Sequence, residues 1–256
     1  LAGAGEAAPA AWGRAVDTVA GALLSATGDG HIAFLAGGGL STEEAWLVAR
    51  LADAVRSPHR AVHAETGPRR WVPNLNGGVH GAETAPNRRG AELAGLTPGV
   101  DALSAADLVA GDGAADCAVL LVAGDLGAAA DDLATIERLR AARRLFVLGW
   151  RDSRLARVAD VALPLATHAE TGGTFVNSQR RLQRFERAFP PAGGALPGVE
   201  ALGALLRRFD AAVPDPLTPE DVFDLLAAAL PQLAGLKLDR LPAHGVALDG
   251  GAPATD

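Results

Sequence analysis

The chain is expected to fold as an α/β domain around a parallel sheet, and three features of its sequence predict this. Short segments at 118–123, 145–148 and 159–163 are apolar almost throughout, the pattern of strands covered on both faces. Helical periodicity alternates with these runs, as parallel βαβ architecture requires. A further apolar run, 31–36, passes through Gly37-Gly38-Gly39 into a capped helix, which is half of a βαβ unit.

The elements follow in order. Residues 1–11 are rich in Ala and Gly and read as a tail or linker. Val16, Val19, Ala20, Leu23 and Leu24 keep a three-four spacing, predicting an amphipathic helix over 12–25 that Gly28-Asp29-Gly30 breaks. After the strand at 31–36, Ser41 caps a helix with Glu44 three residues on, a capping box. That helix is expected to bury Leu47, Val48, Leu51 and Val55. Its Glu43-Glu44 pair is read as favourable negative charge in the first turn. Pro58, Pro68, Pro73, Pro86 and Pro98 mark 56–98 as irregular. His59, His63 and His80 fall there. The first two are spaced like helix-borne metal ligands, but with a proline ahead of them and no apolar face they are read as solvated or capping.

Residues 87–95 (N-R-R-G-A-E-L-A-G) read as a turn and short helix. A second α/β unit then comprises the strand 118–123, a helix over 131–144 with Leu133, Ile136 and Leu139 on one face, and the strands at 145–148 and 159–163. Cys117 is read as a small buried thiol, because no neighbouring histidine lowers its pKa. Val199, Leu202, Leu206 and Phe209 give another helix. Thr218 caps the next, with Pro219 at its first position, and Pro231 ends it. The expected domains are the tail 1–11, an α/β domain over 12–195 and a helical extension over 196–256.

Composition narrows the function. With 256 residues and 49% apolar content the chain can bury a sizeable core. A net charge of −7 argues against a general nucleic-acid binder, and the sequence holds no run of about 18 apolar residues that would span a membrane. One cysteine excludes an intrachain disulfide or a four-cysteine cluster held by this chain alone. There is no methionine, even at position 1, so the sequence is expected to be a segment or trimmed product of a longer chain.

The densest chemistry lies at 168–183, H-A-E-T-G-G-T-F-V-N-S-Q-R-R-L-Q. It shows neither helical nor strand periodicity and follows a strand, where ligand sites of open α/β sheets gather. Gly172-Gly173 permits close backbone approach, and Thr174, Asn177, Ser178 and Gln179 offer hydrogen bonds. Arg180, Arg181, Arg184 and Arg187 read as a solvated basic face, or one that docks an acidic partner.

Four patches resemble the molybdopterin-oxidoreductase-like part of the large subunit of bacterial NADH:quinone oxidoreductase, respiratory complex I. They are L-S-T-E-E-A-W-L-V-A-R-L-A at 40–52 with the elements around it, N-R-R-G-A-E-L-A-G at 87–95, A-D-V-A-L-P at 159–164 running into the 168–183 stretch, and the helical residues 222–238. The resemblance implies Rossmann-like parallel βαβ units of the molybdopterin oxidoreductase type, truncated. It implies a structural domain of a complex-I-type enzyme, not catalytic by itself, in the cytoplasm at the inner face of the membrane. Its partners would be other peripheral-arm subunits, with no nucleic acid and no membrane insertion. Iron–sulfur clusters elsewhere would carry the electrons. In the motif Gln179 stands for the usual acidic residue and Arg180 for the usual glycine, whose conformations an arginine resists. No cofactor is therefore expected in this chain, and no catalytic or metal-ligating residue. Gly173, Thr174, Asn177, Arg181 and Gln183 would form a vestigial pterin site. The alternative is a molybdopterin-dependent oxidoreductase fragment of the formate dehydrogenase kind that binds a pterin dinucleotide, with Thr174, Asn177 and Gln183 facing the pterin and Arg181 its phosphates. A third reading, a small nucleotide-binding protein, rests only on Gly37-Gly38-Gly39. It lacks the third glycine of the dinucleotide fingerprint, since Thr42 stands at that position.

Overall fold

In the chain, α1 (Trp12–Ser25) leads into β1 (His31–Gly37), α2 (Thr42–Ala54) and β2 (His59–His63). A small hairpin of β3 (Arg70–Val72) and β4 (Gly78–His80) precedes α3 (Arg88–Leu93), α4 (Ala105–Val109) and β5 (Cys117–Ala123). Then come α5 (Leu133–Leu139), β6 (Leu145–Gly149), α6 (Arg154–Val158) and β7 (Val161–Pro164). A second hairpin, β8 (Gly173–Val176) and β9 (Arg181–Phe185), is followed by α7 (Gly198–Leu206), α8 (Pro219–Ala229) and β10 (Val246–Ala247). This computed structural model describes residues 10–26, 31–65, 70–72, 78–80 and 84–248. The glycine break at 28–30, the tail at 1–9, the side chain of His80 and most of 66–83 lie outside the described residues.

The central sheet has the order β2-β1-β5-β6-β7, and every pairing in it is parallel. Side chains alternate across its two faces. Ile32, Phe34, Ala36, Leu121, Phe146 and Leu148 face α1, α2 and α7, while Ala33, Leu35, Leu120, Val122, Leu145 and Val147 face α4, α5 and α6. The expected α/β class with a parallel sheet is what the chain forms. Burial on both faces is why its strands read as unbroken apolar runs.

Three segments differ from their sequence reading. Residues 59–63, expected to be irregular, form an edge strand. H-R-A-V-H carries too little apolar pattern to announce a strand, and pairing with β1 supplies it. His59 and His63 are therefore strand residues about 13 Å apart, too far to share one ion. His59 is buried, its Nδ1 accepting the Leu103 N–H at 3.0 Å. The helix expected over 131–144 spans only Leu133–Leu139, because Asp132 accepts the Thr135 N–H and caps it, and Leu133 points outward at 56% exposure. The third difference is the 168–183 stretch, most of which is an antiparallel hairpin extended by β10.

The helices after residue 196 share a core with the α/β part. Val199, Leu202, Leu205, Val222, Phe223 and Leu226 pack in the same cluster as Leu47, Leu51 and Phe34. No helix among the described residues is long and apolar enough to cross a membrane.

Candidate functional site

In sheet order the strands run second, first, third, fourth, fifth along the chain, so the direction of winding reverses between β1 and β5. Open α/β sheets bind ligands outside the carboxyl ends of the strands at such a reversal. A crevice of about 420 Å³ lies there. Gly38 and Gly39 line it from the end of β1, His63, Ala64 and Glu65 from β2, Asp125 to Gly127 from β5, and Trp150 from β6. His168 and Phe175 close it from the segment after β7 and from the hairpin.

The glycines are set by close approach. A Cβ on Gly37 would lie 2.1 Å from the carbonyl oxygen of Asp125, and one on Gly38 would lie 2.6 Å from the Ala85 Cβ. Gly38, Gly39 and Gly127 thus put bare backbone into the lining. Trp150 and Phe175 supply aromatic surface, and Glu65 and Asp125 supply carboxylates. The Nε2 of His63 is buried with no hydrogen-bond partner among the described residues, and a buried group left so costs about 1–3 kcal/mol. Burial holds the His63 imidazole below its usual range, against the opposing pull of Glu65, so the ring is neutral near pH 7.

Behind the crevice, the hairpin is fastened to the β1–α2 turn by buried polar groups. Glu43, fully buried, accepts the Thr174 N–H on Oε2 at 2.8 Å, and its Oε1 lies 2.7 Å from the Thr174 hydroxyl. Loss of hydration pushes the Glu43 carboxyl up to about 7, although the Thr174 bonds pull the other way. Asn87, also fully buried, donates from Nδ2 to the Leu40 carbonyl at 2.7 Å and accepts the Val176 N–H on Oδ1 at 2.7 Å. Glu44 completes the capping box with Ser41, and burial raises its carboxyl as well. Sequence alone makes Glu43 a first-turn charge and assigns Asn87 no role. The motifs T-E-E and N-R-R-G, in which the two residues stand, are the signal that could have found them.

The five candidate residues of 168–183 fall on this hairpin. Gly173 packs against Glu43, where a Cβ would come within 2.7 Å of Oε2. Thr174 is buried on Glu43 and Thr42. Asn177 closes the turn, its Oδ1 accepting from the N–H groups of Gln179 and Arg181 at 3.0 Å each, while its Nδ2 reaches Gln183 at 3.2 Å. Arg181 donates to the carbonyls of His244 and Gly245. Phe175, between two of these candidates, is the hairpin side chain that reaches the crevice. Arg180 takes a φ of +57°, the left-handed conformation that favours glycine. The Asn177 turn and the Leu248 N–H, 3.0 Å from the Arg180 carbonyl, hold it there.

Cys117 opens the central strand β5 at its amino-terminal end, about 20 Å of strand from the crevice. Burial pushes its thiol up to about 12. Among the described residues no three His, Cys, Asp or Glu side chains gather as a metal-holding group.

Fold and crevice together define a doubly wound α/β domain with a crevice at its switch point. Residues 72–208 match the molybdopterin oxidoreductase family, and the chain belongs to that family. It is 39% identical over 94 residues to the F420-dependent formate dehydrogenase 2 subunit alpha of Methanococcus maripaludis, covering 36% of this chain and 14% of that protein. A putative formate dehydrogenase of Staphylococcus haemolyticus is 34% identical over 86 residues, covering 34% of this chain and 9% of the relative. The chain thus spans a small fraction of the length of the relatives it matches.

These matches overturn the expectation of no cofactor, because both the family and its formate dehydrogenase relatives point to a molybdopterin. One of the two physical grounds for that expectation also fails. Arg180 adopts the backbone conformation of the glycine it replaces, so the turn survives the substitution.

Proposed function

We propose that this chain is a cofactor-binding domain of a molybdopterin-dependent oxidoreductase of the formate dehydrogenase kind, and that its switch-point crevice takes one end of a pterin dinucleotide. The observation that carries the reading is the crevice itself: bare backbone in its lining, aromatic walls, a carboxylate and the orphaned His63 Nε2 at the β1/β5 reversal. Pterin and guanine share a flat ring with a 2-amino-4-oxo edge. Trp150 and Phe175 suit the faces of such a ring, and Glu65 suits the N–H donors of its edge. His63, neutral, would hydrogen-bond a ring heteroatom through Nε2. Gly173, Thr174, Asn177, Arg181 and Gln183 would serve by holding the hairpin that presents Phe175. When bound, the molybdenum–pterin group supplies two-electron redox chemistry, and formate is the substrate class the relatives suggest. This chain's own part is to bind and orient the group and to keep water from its buried face.

Titration calorimetry with 6-hydroxymethylpterin and with guanosine diphosphate tests the reading and separates the two ends of the dinucleotide. Ala64→Trp, which fills the crevice, should abolish binding of the preferred probe without lowering the melting temperature. Binding that survives the tryptophan, or no binding of either probe, refutes it.

A second reading is a domain of the large subunit of a complex-I-type NADH:quinone oxidoreductase, at the inner face of the membrane among peripheral-arm subunits. The capped helix at 41–54 and the 159–183 stretch, which resemble that subunit, favour it. Native purification distinguishes the two, since co-isolation with NADH-oxidising subunits supports the second and formate-dependent dye reduction the first.

A further inference from the structure

The crevice faces an electrostatic difficulty. Its lining holds two carboxylates, Glu65 and Asp125, and among the described lining residues no lysine or arginine. A pterin dinucleotide carries phosphates. An unpaired carboxylate about 7 Å from a phosphate weakens binding on the order of tenfold at an effective dielectric near 40.

Arg151, which follows Trp150 and stands outside the lining, addresses this. Its Nε donates to Asp125 Oδ2 and its Nη2 to Asp125 Oδ1, each at 2.9 Å, a bidentate fork. Nη2 also donates to the Gly127 carbonyl at 2.7 Å, and Nη1 pairs with Asp131. Asp131 in turn accepts the Arg154 N–H at 2.9 Å. Asp125 Oδ1 accepts the Gly127 N–H at 3.0 Å as well. Both oxygens of Asp125 are thereby satisfied, and the crevice-lining segment 125–127 is tied to the loop after β6.

We propose that Arg151 is a positioning residue for the anionic cofactor: it offsets the charge of Asp125 at the crevice wall and presets the loop after β5, so that a phosphate-bearing ligand is admitted. The proposal rests on the cofactor reading of the crevice. It goes beyond that reading by assigning a charge-control role to a residue that does not line the site. It also explains why an acidic crevice in an acidic chain can accept an anion, with Glu65 left as the carboxylate for the ring edge.

The test compares guanosine diphosphate with guanosine by calorimetry on the whole chain, since the ratio of their affinities reads charge and not loop integrity. R151M should weaken the diphosphate about tenfold more than the nucleoside. R151K, which keeps a cation beside Asp125, should hold the ratio within about threefold of wild type. R151M/D125N should restore it. D125N alone takes one negative charge from the Asp125–Arg151–Asp131 trio, leaving the guanidinium paired with Asp131, and should shift the ratio the other way, so the prediction stands even where R151M fails to fold. Equal ratios in wild type, R151M and D125N would show that Arg151 is structural only and overturn the proposal. Wild-type protein that binds neither probe overturns the cofactor reading, and this inference with it.

Discussion

Replacing Glu43 by glutamine should change how stability depends on pH, because Glu43 is a carboxyl buried against Thr174 with its pKa pushed from 4.5 up to about 7. The folded state therefore holds a proton on Glu43 that the unfolded state releases above pH 4.5. Stability from this group is fully present below that pH, declines as pH rises to about 7, and then levels. A difference of about 2.5 pKa units corresponds to about 3 kcal/mol. Glutamine keeps the geometry: its oxygen accepts the Thr174 N–H and its amide donates to the Thr174 hydroxyl, as a protonated glutamate would. E43Q should match wild type near pH 4.5 and exceed it by about 3 kcal/mol at pH 8. Glu44, raised in the same direction by burial, leaves a residual slope in both proteins that cancels in the comparison. Urea denaturation followed by tryptophan fluorescence at half-unit steps from pH 4.5 to 8 measures the difference. A constant offset between the two curves would mean that Glu43 holds the same charge folded and unfolded, and would refute the reasoning.

Other perturbations follow from the same contacts. Asn87→Ala leaves the Val176 N–H and the Leu40 carbonyl without their buried partner. It should cost roughly 2–6 kcal/mol in denaturant titration, about 1–3 for each group left unsatisfied. Gly173→Ala drives a Cβ toward Glu43 and Ser41, and a melting temperature lowered by several degrees, for a loss on the order of 2 kcal/mol, would confirm the crowding. Arg180→Gly relieves a left-handed residue and should leave stability unchanged or raised by up to about 1 kcal/mol, whereas a large loss would show that the arginine side chain holds the turn. Cys117, buried with its thiol pushed up to about 12, should resist iodoacetamide at pH 8 in the folded protein and react once unfolded, as intact mass reports.

The apolar strands β1, β5 and β6, the capping boxes at Ser41 and Thr218 and the helix α1 are readable because each depends on neighbours within a few residues. β2 is not, since H-R-A-V-H becomes a strand only through its backbone pairing with β1. The hairpin β8–β9 is hidden for a similar reason. Its Thr174 and its Arg180, an arginine in glycine's conformation, look like loop residues until Glu43 and Asn87 bind the N–H groups of Thr174 and Val176 and Leu248 binds the Arg180 carbonyl, all from far along the chain. Of the candidate site, the glycines after β1 are visible in sequence, but their partners at His63, Asp125 and Trp150 are not.

Local pattern was enough for the α/β class, the parallel sheet and the kinship carried by the 159–183 stretch, because period, caps and short motifs are properties of neighbouring residues. Folding had to settle which carboxylates are buried, which strand ends meet, and that Arg151 forks onto Asp125. Those depend on burial and on contacts between residues tens to more than a hundred positions apart, which no local pattern encodes.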